Sequence, residues 1–540
     1  MRTVLACTMA LALVVPICAQ KKPAPPPVKA RYRIAGTVVN EIGGQVLAQA
    51  TVSIEPVENP DEARQTTTDE DGHFSFDNVS PGKYSMSAQR RGFAQQSYQQ
   101  HEFYSTAVVV GAGLVSENLV FQLRPDASIS GTVTDDQSEP VRSGRAMLFQ
   151  NSLQNGAQGV RLLNQVPLDD GGRYRFDHLE PGKYYVAVLA RPWFAQYLVT
   201  SRDLNGQAVQ QPASNSDLDV SYPLTYYPAA TDSGGAAVIA LAPGDRTTAD
   251  IVLTAVPSVH ARVVNFGDSG NVSLFQTTFD GTKVPVFADS NEINPGVIEL
   301  SGIAPGRFVL TVQGFGRSSY GREDRTVDLA GGEQIDAAER YPSTASITGT
   351  VHLENGKPPS QVFLRFRNLA TGESFGAPVS EKGEFQLAHD IEKGGSYELG
   401  LFHEGSLAVK TVSATGAKVQ GHTVTFTGGG AVKLNVTVTE ALAKITGIVL
   451  RDGKPLSQSM VLLVPEDPAN NQILIRRDQS DSDGTFTLAS VVPGRYTALA
   501  IQKGWDLEWS NAAVLQPYMK AGVALQIDTP RTFQIKLTAQ

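Results

Sequence analysis

Short runs in which apolar and polar side chains alternate at a two-residue period fill this chain, and turns marked by glycine, proline and aspartate separate them. The clearest stretch is Thr68-Asp69-Glu70-Asp71-Gly72-His73-Phe74-Ser75-Phe76-Asp77-Asn78-Val79-Ser80-Pro81-Gly82-Lys83-Tyr84. Gly72 offers a positive-φ position, and Phe74 and Phe76 alternate with His73 and Ser75 as in a half-buried strand. Pro81-Gly82 suits the central positions of a type II turn, which predicts positive φ at Gly82. The stretch reads as turn, strand, turn, strand.

The same order recurs along the chain. A second copy runs Asp169-Asp170-Gly171-Gly172-Arg173-Tyr174-Arg175-Phe176, then Pro181-Gly182 and Tyr184. A worn third keeps Gly296, Ile298, Leu300, Pro305-Gly306 and Phe308. The fourth has Gly383, Phe385, Leu387, Gly394-Gly395 and Tyr397, and the fifth Asp481-Ser482-Asp483-Gly484-Thr485-Phe486-Thr487-Leu488, Pro493-Gly494 and Tyr496. By the same turn argument Gly182, Gly306 and Gly494 are predicted at positive φ. An upstream strand repeats in register, as Ile34-Ala35-Gly36-Thr37-Val38, Ile129 to Val133, Val259 to Val263, Ile347 to Val351 and Ile445 to Val449. The period, roughly 90 to 130 residues, is that of a small β-sandwich and far longer than a solenoid unit. The pattern predicts an all-β chain, a tandem array of about five antiparallel β-sandwich domains of transthyretin-like or immunoglobulin-like type. Their expected bounds are 31–124, 125–256, 257–342 (degenerate), 343–440 and 441–540. The second carries a polar insertion near Ser201 to Ser216, and no segment shows the apolar stripe of a long helix.

The Gly-Thr-Val start and the Asp-x-x-Gly-x-Phe-x-Phe…Pro-Gly-x-Tyr core resemble the carboxypeptidase regulatory-like domain, a transthyretin-like sandwich grouped with the carbohydrate-binding-like folds. The resemblance covers nearly all of the chain beyond its first thirty residues or so and implies an accessory, non-catalytic role; a shared fold does not fix a function.

Met1 to about Gln20 has a basic start, an apolar run from Val4 to Val15 and a small-residue break, the pattern of a secretory signal peptide. The run is too short to span a bilayer comfortably. Residues 21–30, KKPAPPPVKA, read as a Pro-rich linker. Cys7 and Cys18 both fall before that linker, so the exported chain is expected to be cysteine-free and secreted, periplasmic or at the cell surface. The net charge of -9 argues against nucleic acid as a partner.

Candidate chemistry is sparse. Gly372-Glu373-Ser374-Phe375-Gly376 has the spacing of a nucleophile elbow but sits in a β-rich repeat, where it reads as a hairpin loop. The histidines lack the spacing of a catalytic zinc site, and the Asp-rich turns at Asp69 and Asp481 lack the twelfth-position Glu of a calcium loop. The reading is therefore no enzyme, no metal and no cofactor. An aromatic follows the last core strand, with Phe93, Trp193 and Trp505 each eleven residues beyond the Pro-Gly glycine. These three and Trp509 are the candidate ligand-binding residues, since a planar apolar face with a polar edge stacks on sugar rings. One reading pairs Trp505 and Trp509 as a stacking surface, with Asp506 and Glu508 accepting from ring hydroxyls. The other, which the repeat spacing suggests, is structural, with Phe93, Trp193 and Trp505 each closing the end of a sandwich and Trp509 alone at the surface. The expected partner is polysaccharide or cell-surface protein, with a structural stalk or adhesion scaffold as the alternative.

Overall fold

The computed structural model describes residues 31–540 apart from 198, 203–207, 212–215, 266–269, 280, 295, 317–318, 337–344, 388–393, 403–406 and 429. The signal peptide and the Pro-rich linker lie outside the described residues. Among the described residues the chain is nearly all β, with a single short α-helix, and its strands build five face-to-face sheet pairs, numbered units 1 to 5 in chain order.

One topology explains all five. In unit 1 the strand Tyr32–Asn40 runs antiparallel to His73–Val79 and parallel to the closing strand Leu119–Leu123. Units 2 to 5 repeat this arrangement around Ala127–Asp135, Val259–Val264, Ala345–Leu353 and Ala443–Arg451. Parallel strands need a long crossover, and here the rest of each unit supplies it. The facing sheet is centred on an antiparallel pair, Thr51–Pro56 with Gly82–Arg90 in unit 1 and Met460–Pro465 with Gly494–Ile501 in unit 5. The parallel pairing explains the glycine of the Gly-Thr-Val start. A Cβ on Gly36 would lie 2.2 Å from the Leu119 carbonyl oxygen, and one on Gly349 would lie 2.2 Å from that of Leu434. The worn third copy carries Ala261 at this place.

The alternating aromatics of each repeat go where the period sends them. Phe74, Phe76, Phe176 and Phe486 are each at most 3% exposed and sit in the cores of their units. Gly72, Gly172, Gly383 and Gly484 have the expected positive φ, from 70° to 79°. Asp69 Oδ1 accepts the backbone N–H groups of Asp71 and His73, and Asp169 Oδ1 accepts those of Gly171 and Arg173, so in these two copies the aspartate side chain holds the turn.

The Pro-Gly turns differ from expectation. Gly82 alone of the four has positive φ, at 151°, far from the value near 80° of a type II turn; Gly182, Gly306 and Gly494 simply open extended strands. The left-handed residue lies four positions earlier, at Asn78 (58°), His178 (56°), Gly302 (70°) and Ser490 (53°). There the register with the first strand slips, for example between Phe176 and Leu179. A β-bulge thus sits just before the strand ends, and in three of the four copies the glycine of the Pro-Gly pair that follows is in extended backbone. The tyrosine two residues further on fastens the corner: Tyr84, Tyr184 and Tyr496 hydroxyls donate to the carbonyls of Ser80, Glu180 and Val492 at 2.9, 2.7 and 2.7 Å.

The units do not lie in a row. Unit 2 touches unit 3 through Phe279, whose ring sits 4.8 to 5.5 Å from those of Phe149, Tyr185 and Tyr226. Arg161 of unit 2 donates to the Thr371 carbonyl of unit 4, and Ser510 of unit 5 donates to the Gly156 carbonyl of unit 2. Glu398 of unit 4 accepts the Ile473 N–H of unit 5 at 2.6 Å. Unit 1 returns to meet unit 5. Lys83 pairs with Asp481 at 2.5 Å, Asp481 also accepts the Ala107 N–H, Arg477 pairs with Glu102, and Gln479 bonds His101, Gln99 and Thr106. A second apolar cluster forms on the outer face of the unit 5 sheet, where Met460, Leu462, Trp505, Trp509 and Leu515 of the short helix Ala512–Met519 pack with Tyr104 and Leu153 of units 1 and 2.

Candidate functional site

The four candidate aromatics occupy different environments. Phe93 packs against the unit 1 core, lies under the Arg90 guanidinium and bridges to Pro125 at the joint with unit 2. Trp505 is 8% exposed; it stacks on His101 of unit 1 with ring centroids 5.0 Å apart, and its indole N–H donates to the Gln458 carbonyl. Trp509 is equally buried, with the Arg477 guanidinium 4.3 Å over its ring and the Gly156 turn of unit 2 against it. These two tryptophans share one apolar cluster, as the spacing suggested, but other units cover their faces. Trp193 is the reverse case. It is 81% exposed, and Phe194 meets it edge to face at 5.8 Å. Among the described residues it is the tryptophan that faces solvent.

The segment that carries Trp193 meets unit 3 at both ends, at Arg191, which pairs with Asp289, and at Tyr197, which lies against Gly302. A cavity of about 740 Å³ opens there, lined by Tyr222 and Leu224 of unit 2 and by Phe287, Phe308 and the Pro305-Gly306 turn of unit 3. Its size and mixed lining are those of a small-ligand pocket at a domain boundary. Burial, with Asp135 and Asp136 nearby, pushes the Tyr222 phenol up to about 12, so it stays protonated. Tyr197 closes against unit 3 at Gly302, where its ring would lie 2.8 Å from a Cβ, and its hydroxyl donates to the Val220 carbonyl. On the other side of Phe287 a shallower hollow of about 640 Å³ is lined by Arg145, Gln165 and Arg191. The Arg191 and Arg145 guanidinium carbons lie 5.0 and 5.4 Å from the Phe287 ring centroid.

Sequence reasoning missed Arg145, Arg191 and Phe287. Arg191 and Trp193 do fall in one dense run, Arg191-Pro192-Trp193-Phe194, but Phe287 stands outside the repeat register, and only the fold brings it across. Ser374 begins the second strand of a hairpin, paired through Arg367, with the positive-φ Gly372 in the loop. That is the hairpin its setting predicts. Among the described residues no three His, Cys, Asp or Glu side chains converge as a metal site would require, and no helix is long and apolar enough to cross a membrane.

Comparison with known proteins identifies part of the chain. Residues 33–124 match the carboxypeptidase regulatory-like domain. Serine-aspartate repeat-containing protein C of Staphylococcus aureus strain Newman is 27% identical over 146 residues, which is 24% of this chain and 15% of that protein. The chain therefore spans only a small part of the relative's length. Among solved structures, a streptococcal ancillary pilin aligns with 52% of this chain and 99% of its own at 10% identity and a TM-score of 0.18. Two B repeat units of the collagen binding protein of Staphylococcus aureus align with 76% of this chain and 100% of their own at 10% identity and a TM-score of 0.13.

Proposed function

We propose that this chain is an exported, non-catalytic binding protein: five β-sandwich units locked together, presenting the cleft between units 2 and 3 to carbohydrate at the cell surface. The observation that carries the reading is Trp193. An indole left 81% exposed, braced edge to face by Phe194 and two residues from a cleft-lining arginine, makes a stacking platform. Trp505 and Trp509 serve the packing between units instead. The signal-like leader and cysteine-free remainder support export, and the match at residues 33–124 supports an accessory, non-enzymatic role.

The test is fluorescence titration of the chain from residue 21 onward with soluble glucan, xylan and pectin oligomers. Trp505 and Trp509 are buried, so a ligand-induced change reports on Trp193 and should vanish in Trp193→Ala. Absence of response to every glycan overturns the carbohydrate reading. The second reading, a scaffold with a protein partner, is favoured by Phe103, which is 99% exposed at a loop tip beside the contact between units 1 and 5. That partner would be lost on Phe103→Ser and kept on Trp193→Ala.

A further inference from the structure

The hollow beside Phe287 has a charge pattern the rest of the chain does not lead one to expect. Acidic residues outnumber basic ones, 54 to 45, yet two arginines and no Asp or Glu line this hollow. Asp289 takes one side of Arg191, bonding Nη1 at 2.6 Å. The buried Nε of Arg191 has no acceptor. Arg145 has no carboxylate or carbonyl partner among the described residues; its contact is the face of Phe287. Two guanidinium groups thus share one ring and one carboxylate. Like charges held together are unfavourable, and the ring quadrupole offsets only part of that cost.

We infer that this hollow is a carboxylate-binding subsite, and that the glycan recognised by the cleft carries carboxylates, as uronic acid residues do. The inference rests on the carbohydrate reading above. Chemistry favours this anion because a guanidinium fork matches the two oxygens of a planar carboxylate, and Arg145 offers a whole fork. Phe287 holds both guanidinium groups over its ring, and Gln165 at the rim adds an amide for a neighbouring hydroxyl. Trp193, two residues from Arg191, would stack on the next sugar along. The site would act on selectivity, because a neutral sugar leaves the arginines as they are and a carboxylate completes them.

The experiment compares four binding isotherms on the chain from residue 21 onward: a neutral cello-oligosaccharide, an oligogalacturonate of matched length, and oligoglutamate, with oligogalacturonate repeated at 300 mM salt. Arg145→Gln is the diagnostic variant, since Arg145 makes no hydrogen bond whose loss would disturb folding, and circular dichroism checks that it is folded. We expect oligogalacturonate to bind at least tenfold more tightly than the neutral oligomer, to weaken about tenfold or more in Arg145→Gln, and to weaken with salt, as charge-assisted contacts do. Arg145→Lys should recover only part of the loss, because it restores charge without the fork. Equal binding of neutral and acidic oligomers, unchanged in Arg145→Gln, overturns the subsite and leaves the carbohydrate reading standing. Binding of neither overturns both. Oligoglutamate binding as tightly as oligogalacturonate, with the same loss in Arg145→Gln, overturns the assignment to a sugar.

Discussion

Replacing Lys83 by Met tests whether unit 1 is clasped to unit 5 by specific chemistry. Lys83 Nζ lies 2.5 Å from Asp481 Oδ2 and 3.0 Å from Thr485 Oγ1, with side-chain exposures of 35% for the lysine and 13% for the aspartate. Burial raises Asp481 above the usual carboxylate range, and the lysine works against that shift. Two unit charges about 4 Å apart at an effective dielectric near 20 attract by about 4 kcal/mol, and a closer pair by more, before the cost of desolvation is subtracted. Exposed pairs contribute about 0 to 1 kcal/mol, while breaking a fully buried pair costs about 3 to 5 kcal/mol. This pair lies between, and Asp481 keeps the Ala107 N–H in the variant. A loss of about 1 to 2 kcal/mol follows. The readout is urea unfolding followed by tryptophan emission in a Trp193→Phe background, because Trp505 stacks on His101 across the same contact. A double-mutant cycle with Asp481→Asn isolates the pair. A coupling below about 0.3 kcal/mol, the usual scatter of additive sites, would refute the clasp as an energetic contact.

Two further outcomes follow from the same region. Asp478 is pushed up to about 6, chiefly by burial, although it accepts the N–H groups of Thr487 and Gln479. Its folded value lies above the unfolded one, so its contribution to stability is complete below about pH 3.8 and is lost as pH rises through about 6. Stability relative to Asp478→Asn should therefore fall by about 2 to 3 kcal/mol between pH 4 and 7, measured as the difference in urea midpoints; a difference independent of pH would contradict this. The turn glycines should separate. Gly484→Ala, at φ 79° and 2.9 Å from the Val449 carbonyl oxygen, should cost about 2 kcal/mol or more, whereas Gly494→Ala meets only the Tyr496 ring at 3.3 Å and should cost under about 1 kcal/mol. Melting temperatures in the opposite order would mean that the corner is a Pro-Gly turn after all.

The fold was legible where one residue type answers one local demand. Aspartate before a positive-φ glycine, and apolar side chains two and four residues beyond it, specify a turn and a strand without help from distant chain. The bulge was not legible, because Asn78, His178, Gly302 and Ser490 share no side-chain chemistry, and tertiary pairing imposes their left-handed backbone. The packing between units left a signal of another kind. Met460–Pro465 is buried at every position, and so is Ala146 to Phe149, where a sheet with one wet face would alternate. Unbroken apolar runs of that length mark sheets covered on both sides. Equal spacing misled where it equated Phe93, Trp193 and Trp505, which end at a joint, in solvent and under unit 1.

Asp481 shows why repeats alone cannot place a site. It is the counterpart of Asp69 and Asp169, and its backbone makes the same turn, with Gly484 N–H donating to its carbonyl at 2.8 Å. Its carboxylate does something else, turning out to Ala107 and Lys83 while Asp483 takes over the turn by accepting the Thr485 N–H. The sequence does not mark this reuse of the turn: Asp71 of the first copy stands where Asp483 does, and what sets Asp481 apart is the Lys83 ammonium and Ala107 N–H that unit 1 brings to it. The same economy holds in the cleft of units 2 and 3, where the third copy's Pro305-Gly306 turn lines the cavity and its bulge glycine, Gly302, leaves room for Tyr197. Contacts between units in this chain are made where one copy of a shared turn meets a neighbour supplied by another unit, as Asp481 meets Lys83 and Gly302 meets Tyr197.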